Sequence, residues 1–204
     1  MRFGRAGVVL DRDGTLIDVV RDEETGSIHV AFHPDQLMLL PGVVSGLTAL
    51  SEAGFVLAIA TNQPGPAKGQ FSRAAVQRTN DALLGLLAAH GVAIAALEVC
   101  LHHPTGHPRG EAALVRDCDC RKPRPGMLTA LVDGLGLDAR QSWMIGDSTA
   151  DVEAAQAAGL RSALVFSQSR CELCPLRDGP LVRPELVAPS FDQLVVELLA
   201  APPT

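Results

Sequence analysis

The chain of 204 residues has no tyrosine, a single tryptophan and six phenylalanines. So few rings leave little with which to stack nucleobases or build aromatic platforms under sugars. A basic excess is also missing. The formal net charge is −6, which argues against a non-specific nucleic-acid binder, since such a protein needs a cationic face. No apolar run approaches the ~20 residues that span a bilayer. The N-terminal stretch Met1–Gly7 has no apolar core with a cleavage site behind it. A cytoplasmic protein with neither nucleic-acid nor membrane partners is therefore expected. In that compartment its five cysteines are expected to be thiols or metal ligands rather than disulfides. There is no internal repeat and no low-complexity tract.

What is present suits a globular domain. Hydrophobic residues make up 47% and charged residues 20%, and the length fits one domain covering 1–204. Short β-rich runs alternate with helical patterns. Strands are predicted near Val8–Leu10, Phe55–Ala60, Leu97–Cys100, Trp143–Ile145 and Ser162–Phe166. Helices are predicted near Val43–Ala53, Arg73–Ala89, Gly126–Leu135, Ala150–Ala158 and Phe191–Leu199. Ser72 is the expected N-cap of the second helix, and Ser190-Phe191-Asp192-Gln193 reads as a capping box for the last. This alternation predicts an α/β fold: a Rossmann-like three-layer α/β/α sandwich around a mostly parallel sheet. Three stretches break the pattern. Residues 19–40 are long for a βα connection and could form a hairpin flap. Residues 100–120 hold Cys, His, Pro and Gly. Residues 167–189 carry Cys171-Glu172-Leu173-Cys174, which could be half a metal site, a redox pair or two incidental thiols. No separate cap domain fits between these elements.

Four predicted strand tips carry chemistry. Val8-Val9-Leu10-Asp11-Arg12-Asp13-Gly14-Thr15 ends an apolar strand in two carboxylates one residue apart, followed by a glycine turn. Residues i and i+2 of a strand share a side, so both carboxylates can enter one cleft, where their repulsion asks for a cation or a shared proton. Thr61-Asn62-Gln63 offers a hydroxyl and two amides that can hold phosphate oxygens without adding charge. Arg121-Lys122-Pro123 supplies cations. Gly146-Asp147-Ser148-Thr149-Ala150-Asp151 supplies two more acids. Mg2+ usually takes one or two carboxylates plus waters and phosphate. Asp147 could complete such a set with Asp11, with Asp151 ligating or orienting a water. Each tip alone could be an ordinary turn or helix cap; the four in this order are far more specific.

Together they resemble the four signature motifs of the haloacid dehalogenase (HAD) superfamily of aspartyl phosphatases, from Val8 to about Phe166. The resemblance implies a Mg2+-dependent phosphate-monoester hydrolase. In it Asp11 is the nucleophile and Asp13 the general acid and base. Mg2+ is held by Asp11, the Asp13 backbone carbonyl and Asp147. Thr61, Asn62, Gln63, Lys122 and Ser148 are phosphate or substrate contacts, and Arg121 recognises the substrate.

Cys100-Leu101-His102 and Cys118-Asp119-Cys120 provide three thiolates and an imidazole, a donor set used by structural zinc, although His103 and His107 are competing imidazoles. A metal would explain how a long, proline-rich loop with little apolar content is ordered. The order Cys100-x-His102-His103-Pro104, then Cys118-x-Cys120-Arg121-Lys122-Pro123, is similar to the D-glycero-D-manno-heptose 1,7-bisphosphate 7-phosphatase family and its relative, the histidinol-phosphate phosphatases. This implies a zinc bound by Cys100, His102, Cys118 and Cys120. It also implies a small phosphorylated metabolite as substrate, preferably a sugar bisphosphate with histidinol phosphate as the alternative. A monomer is expected rather than an oligomer. The chain departs from that family at Pro64, where Ser is usual, at Ser148, where Lys is usual, and in its longer 19–40 segment. A phosphotransferase using the same aspartyl-phosphate and a non-catalytic metal-binding module are the competing readings.

Overall fold

The computed structural model describes residues 4–21, 24, 26–166 and 182–202. Cys171 and Cys174 lie outside them. Six strands form one sheet: β1 (Gly7–Leu10), β4 (Val56–Asn62), β5 (Ala96–Cys100), β6 (Trp143–Gly146), β7 (Arg161–Val165) and β8 (Leu186–Ala188). Their order is β5-β4-β1-β6-β7-β8, and every neighbouring pair is parallel. The mostly parallel α/β sheet expected from the alternation is thus what the chain forms. The sixth strand, β8, lies inside the 167–189 stretch that was expected to be irregular.

Among the described residues the α-helices are α1 (Val43–Glu52), α2 (Arg73–Ala89), α3 (Gly126–Leu135), α4 (Thr149–Ala158) and α5 (Phe191–Ala200). Period-2 alternation along β1 divides them between two layers. Val8 and Leu10 pack with Leu47 of α1, Leu83 of α2 and Leu194 of α5. Val9 faces the other way, onto Leu128 of α3 and Ala155 of α4. A strand buried on both faces reads as a continuous apolar run, which is what Gly7–Leu10 shows. Ser72 caps α2 through its hydroxyl, which accepts from Ala75 N at 3.1 Å. The capping box read at Ser190 does not form: its hydroxyl accepts no cap hydrogen bond and donates to Asp192 Oδ1 at 2.5 Å.

Chain order reverses direction across the sheet at β1, with β4 on one side and β6 on the other. Ligands of open parallel sheets bind outside the carboxyl ends of the strands at such a switch point. Between β1 and α1, β2 (Val20–Arg21) and β3 (Ile28–His29) form a small antiparallel hairpin. Both ends of the 19–40 segment are fastened, by Asp18 N to Met38 O at 2.8 Å and Leu40 N to Leu16 O at 3.0 Å. Among the described residues no further helical or sheet layer covers the carboxyl edge.

Candidate active site

Asp11 follows the last residue of β1 and donates its N–H to Ile145 O of β6 at 2.9 Å, which ties the two strand tips together. The chain turns at Gly14, whose φ of +83° favours glycine. A Cβ there would also collide with the Asp147 carboxylate, so the glycine makes room for the acid from the neighbouring tip. Lys122 reaches between them from the loop before α3. Its ammonium donates to Asp11 Oδ1 at 2.7 Å and Ala60 O at 2.8 Å and is ion-paired with Asp151 Oδ1 at 2.6 Å. Asn62 fixes the Lys122 backbone from both sides: Nδ2 donates to Lys122 O at 3.0 Å, and Oδ1 accepts from Lys122 N at 3.1 Å.

The electrostatics follow from one buried cation facing several buried acids. Burial pushes Asp11 up; the Lys122 charge pulls it back, and it settles at about 6. Asp147 is pushed to about 8 by burial, then by the charges of Asp11 and Asp151. Burial alone would lower Lys122, but Asp11 and Asp151 outweigh it and hold the ammonium above its ordinary range. Ligand oxygens of Asp11, Asp147 and Asp151 lie within 4.8 Å of one another. Three clustered carboxylates against one ammonium fit a divalent cation.

Asp13 is cradled separately. Its Oδ2 accepts from Arg12 Nε at 2.9 Å and Gln63 Nε2 at 2.7 Å; its Oδ1 accepts from Arg12 Nη2 and Ala31 N, each at 3.1 Å. Arg12 is fully buried and also donates to Asn80 Oδ1 and Ala31 O, both at 2.6 Å. Gln63 is fully buried as well, and its Nε2 donates to Thr61 Oγ1 at 3.0 Å. Ser148 donates through both its N–H and its hydroxyl to Asp151 Oδ2, at 3.1 and 2.6 Å, closing the first turn of α4. The Arg121 guanidinium lies 3.5 Å from His102 O.

A second cluster lies beyond the tip of β5. Sγ of Cys120 is 3.0 Å from Cys100 and 3.3 Å from Cys118, Cys100 and Cys118 are 3.6 Å apart, and His102 Nδ1 is 3.2 Å from Cys120. All four donor atoms lie within 4.8 Å of one another, the thiols somewhat closer than the ~3.8 Å edge of a tetrahedron with ~2.3 Å metal–sulfur bonds. Burial, then Arg116 and Arg73, hold His102 below its ordinary pKa, which keeps the imidazole neutral as a ligand must be. His103 and His107 bond locally instead, to Thr105 and Arg109. The loop carrying this cluster is locked to the one after β4: Glu111 N donates to Pro66 O at 2.9 Å and His107 N to Ala67 O at 3.3 Å. Gly110 permits this approach, since a Cβ there would strike Ala67 O.

A curated relative from Pseudomonas aeruginosa, D-glycero-beta-D-manno-heptose-1,7-bisphosphate 7-phosphatase, is 32% identical over 188 residues, 91% of this chain and 96% of its own length. The chain belongs to this heptose-bisphosphate phosphatase family. The enzyme of the same name from Escherichia coli is 35% identical over 153 residues, 75% of this chain and 74% of its own. A family model described as HAD-hydrolase-like matches residues 119–194. The D,D-heptose 1,7-bisphosphate phosphatase of B. bronchiseptica, solved with magnesium and phosphate, superimposes with a TM-score of 0.72 at 27% identity, over 96% of this chain and 98% of that one. The chain is thus a HAD phosphatase, and magnesium is the metal of a solved relative. No described helix is long and apolar enough to cross a membrane.

This heptose-bisphosphate phosphatase family member has a cleft of about 940 Å³ whose lining includes Phe32 and Pro64, the sequence neighbours of Ala31 and Gln63. Val20 and Phe32 line one wall and Pro64, Lys68 and Arg109 the other. Phe32 stacks on Phe71 with centroids 5.1 Å apart. Sequence reasoning missed Arg12 and Asn80. A charged residue inside an apolar strand-and-turn run was the signal available for Arg12; nothing marked Asn80.

Proposed function

We propose that this chain removes the 7-phosphate of D-glycero-D-manno-heptose 1,7-bisphosphate through a covalent aspartyl-phosphate. The observation that carries the reading is the meeting of Asp11, Asp147, Asp151 and Lys122, from the tips of β1 and β6, the first turn of α4 and the loop before α3, beside a separately cradled Asp13. Lys122 engages Asp11 Oδ1, which leaves Oδ2 as the attacking oxygen. That oxygen forms a bond to phosphorus, the phosphorus–alkoxide bond breaks, and the departing oxygen takes a proton from Asp13. Asp13 then takes a proton from the water that attacks phosphorus, releasing inorganic phosphate and restoring the Asp11 carboxylate. Thr61 and Lys122 donate to the equatorial oxygens, where charge is spread in the transition state. Mg2+, when held by Asp11, Asp147 and the Asp13 carbonyl, supplies positive charge that offsets repulsion between carboxylate and phosphate. Asp151 holds Lys122 and Ser148 in place.

The cleft between the 19–40 segment and residues 64–71 receives the sugar, Lys68 in its lining favours a second phosphate, and Arg121 recognises the substrate. Cys100, His102, Cys118 and Cys120 bind a structural zinc that fixes this wall. The protein works as one cytoplasmic domain and as a monomer. A phosphate-release assay over a panel containing the heptose bisphosphate in both anomers, histidinol phosphate and simple sugar phosphates tests the substrate. Asp11→Asn is expected to abolish release, as is EDTA. Near-wild-type activity of that variant refutes the nucleophile assignment, and preference for histidinol phosphate refutes the heptose reading.

A further inference from the structure

Asp13 must carry a proton in the first half of the proposed reaction and lose it before the second. The cradle around it suits only the ionised form. Each carboxylate oxygen accepts two donors, Arg12 Nε and Gln63 Nε2 on Oδ2, Arg12 Nη2 and Ala31 N on Oδ1. Those contacts occupy the lone pairs of a carboxylate, and a proton placed on Oδ2 would face an N–H. Arg12 and the Ala31 peptide nitrogen can only donate. Gln63 alone among these partners carries an acceptor on the same rotating group.

That acceptor is idle. Gln63 Oε1 is buried and has no hydrogen-bond partner, and the backbone around it is fixed by Gln63 N donating to Cys100 O at 2.7 Å. The two ends of an amide have nearly the same shape, so a half-turn of the side-chain amide exchanges Oε1 and Nε2 without moving the backbone. In either orientation one amide end is unpartnered, so neither orientation is locked by its far end.

We propose that Gln63 is a positioning residue whose amide turns with the protonation state of Asp13. With Oε1 toward Asp13, it accepts the Asp13 O–H and keeps the proton until a leaving group arrives. With Nε2 toward Asp13, it supports the carboxylate that deprotonates water. The same turn reaches Thr61. When Nε2 donates to Thr61 Oγ1, as at 3.0 Å here, the Thr61 hydrogen is free for a phosphoryl oxygen. When Oε1 faces it, Thr61 can donate to Gln63 instead. The proposal rests on the acid–base reading of Asp13, and it moves Gln63 from substrate contact to support of the acid.

The test compares two leaving groups by kcat/KM, which reports events up to departure of the alcohol. A sugar alkoxide needs a proton to leave; 4-nitrophenolate does not. Gln63→Met fills the site without an amide. Its kcat/KM on the heptose bisphosphate is expected to fall about ten- to a hundredfold, the scale of leaving one buried donor unpartnered. On 4-nitrophenyl phosphate it should fall less than about threefold on the same scale. Gln63→Glu, whose protonated carboxyl can both donate and accept, should recover the alkoxide-to-nitrophenolate ratio toward wild type as pH is lowered. Equal losses on both substrates, or no loss, overturn the proposal. Asp13→Asn run alongside separates the two layers. If it shows the selective loss and Gln63→Met does not, the Gln63 proposal fails alone. If Asp13→Asn is not selective, the acid–base reading fails with it.

Discussion

Replacing Lys122 with methionine isolates the electrostatic work of the site. The Met side chain keeps the apolar stem and removes the ammonium, so the change is chiefly in charge. Asp11 Oδ1, Asp151 Oδ1 and Ala60 O lose the ammonium at 2.7, 2.6 and 2.8 Å. Removing one partner of a buried ion pair costs about 3–5 kcal/mol because the other charge is left uncompensated. For a chain of this size each kcal/mol lowers Tm by roughly 2–4 °C, so a fall of roughly 6–20 °C is expected. The pH dependence identifies the cause. Asp11 sits at about 6 and Asp147 at about 8 when folded, both above the ~3.9 of an unfolded aspartate. An acid raised on folding binds its proton more readily in the native state. Its contribution to stability is full below the unfolded value and is lost as pH rises through the folded one. Without the ammonium that restrains Asp11, the variant's acids are raised further. Its deficit against wild type should therefore be small at pH 5 and full at pH 8. Urea unfolding of both proteins at the two pH values, in EDTA, measures it. An equal deficit at both, or one below about 1 kcal/mol at pH 8, refutes the reasoning.

The same pKa directions predict how the wild type answers to magnesium. A saturating Mg2+ concentration should raise Tm more at pH 8 than at pH 5, because at pH 5 protons occupy Asp147 and most of Asp11; equal shifts in differential scanning fluorimetry would contradict this. Purified protein is expected to carry close to one zinc per chain by emission spectrometry, and Cys120→Ser to lose it. The variant should become open to limited proteolysis between Leu101 and Pro125, whereas unchanged metal content would exclude Cys120 as a ligand.

The sheet was legible because β1 and β4 read as short apolar runs and the helices between them carry clear apolar periodicity and caps such as Ser72. β8 was not, since three residues within an irregular stretch give no period to read. Within the site, spacing marked Asp11, Lys122 and Asp147 because each stands where an apolar strand breaks into a turn or in the loop leading to a helix. Spacing could not say which polar groups turn inward. Arg12 lies between two aspartates and looked like a spacer, yet it is fully buried and grips Asp13. Gln63 and Ser148 were read as substrate contacts, but Gln63 lies under Asp13 and Ser148 bonds to Asp151. Gln63 to Asp13 and Arg12 to Asn80 join residues far apart in the chain, which local pattern does not encode, whereas Ser148 to Asp151 is a local capping box at the start of α4.

The backbone lock between residues 66–67 and 107–111 bears on how such a phosphatase can change its diet. Neither loop can be remodelled alone, since an insertion or a side chain at Gly110 would force the other away from Ala67. The smallest transplantable unit is therefore the pair, 64–71 together with 101–125. A graft between relatives that moves only the cysteine-bearing half should lose its fit, and one that moves both should carry the donor's preference with it.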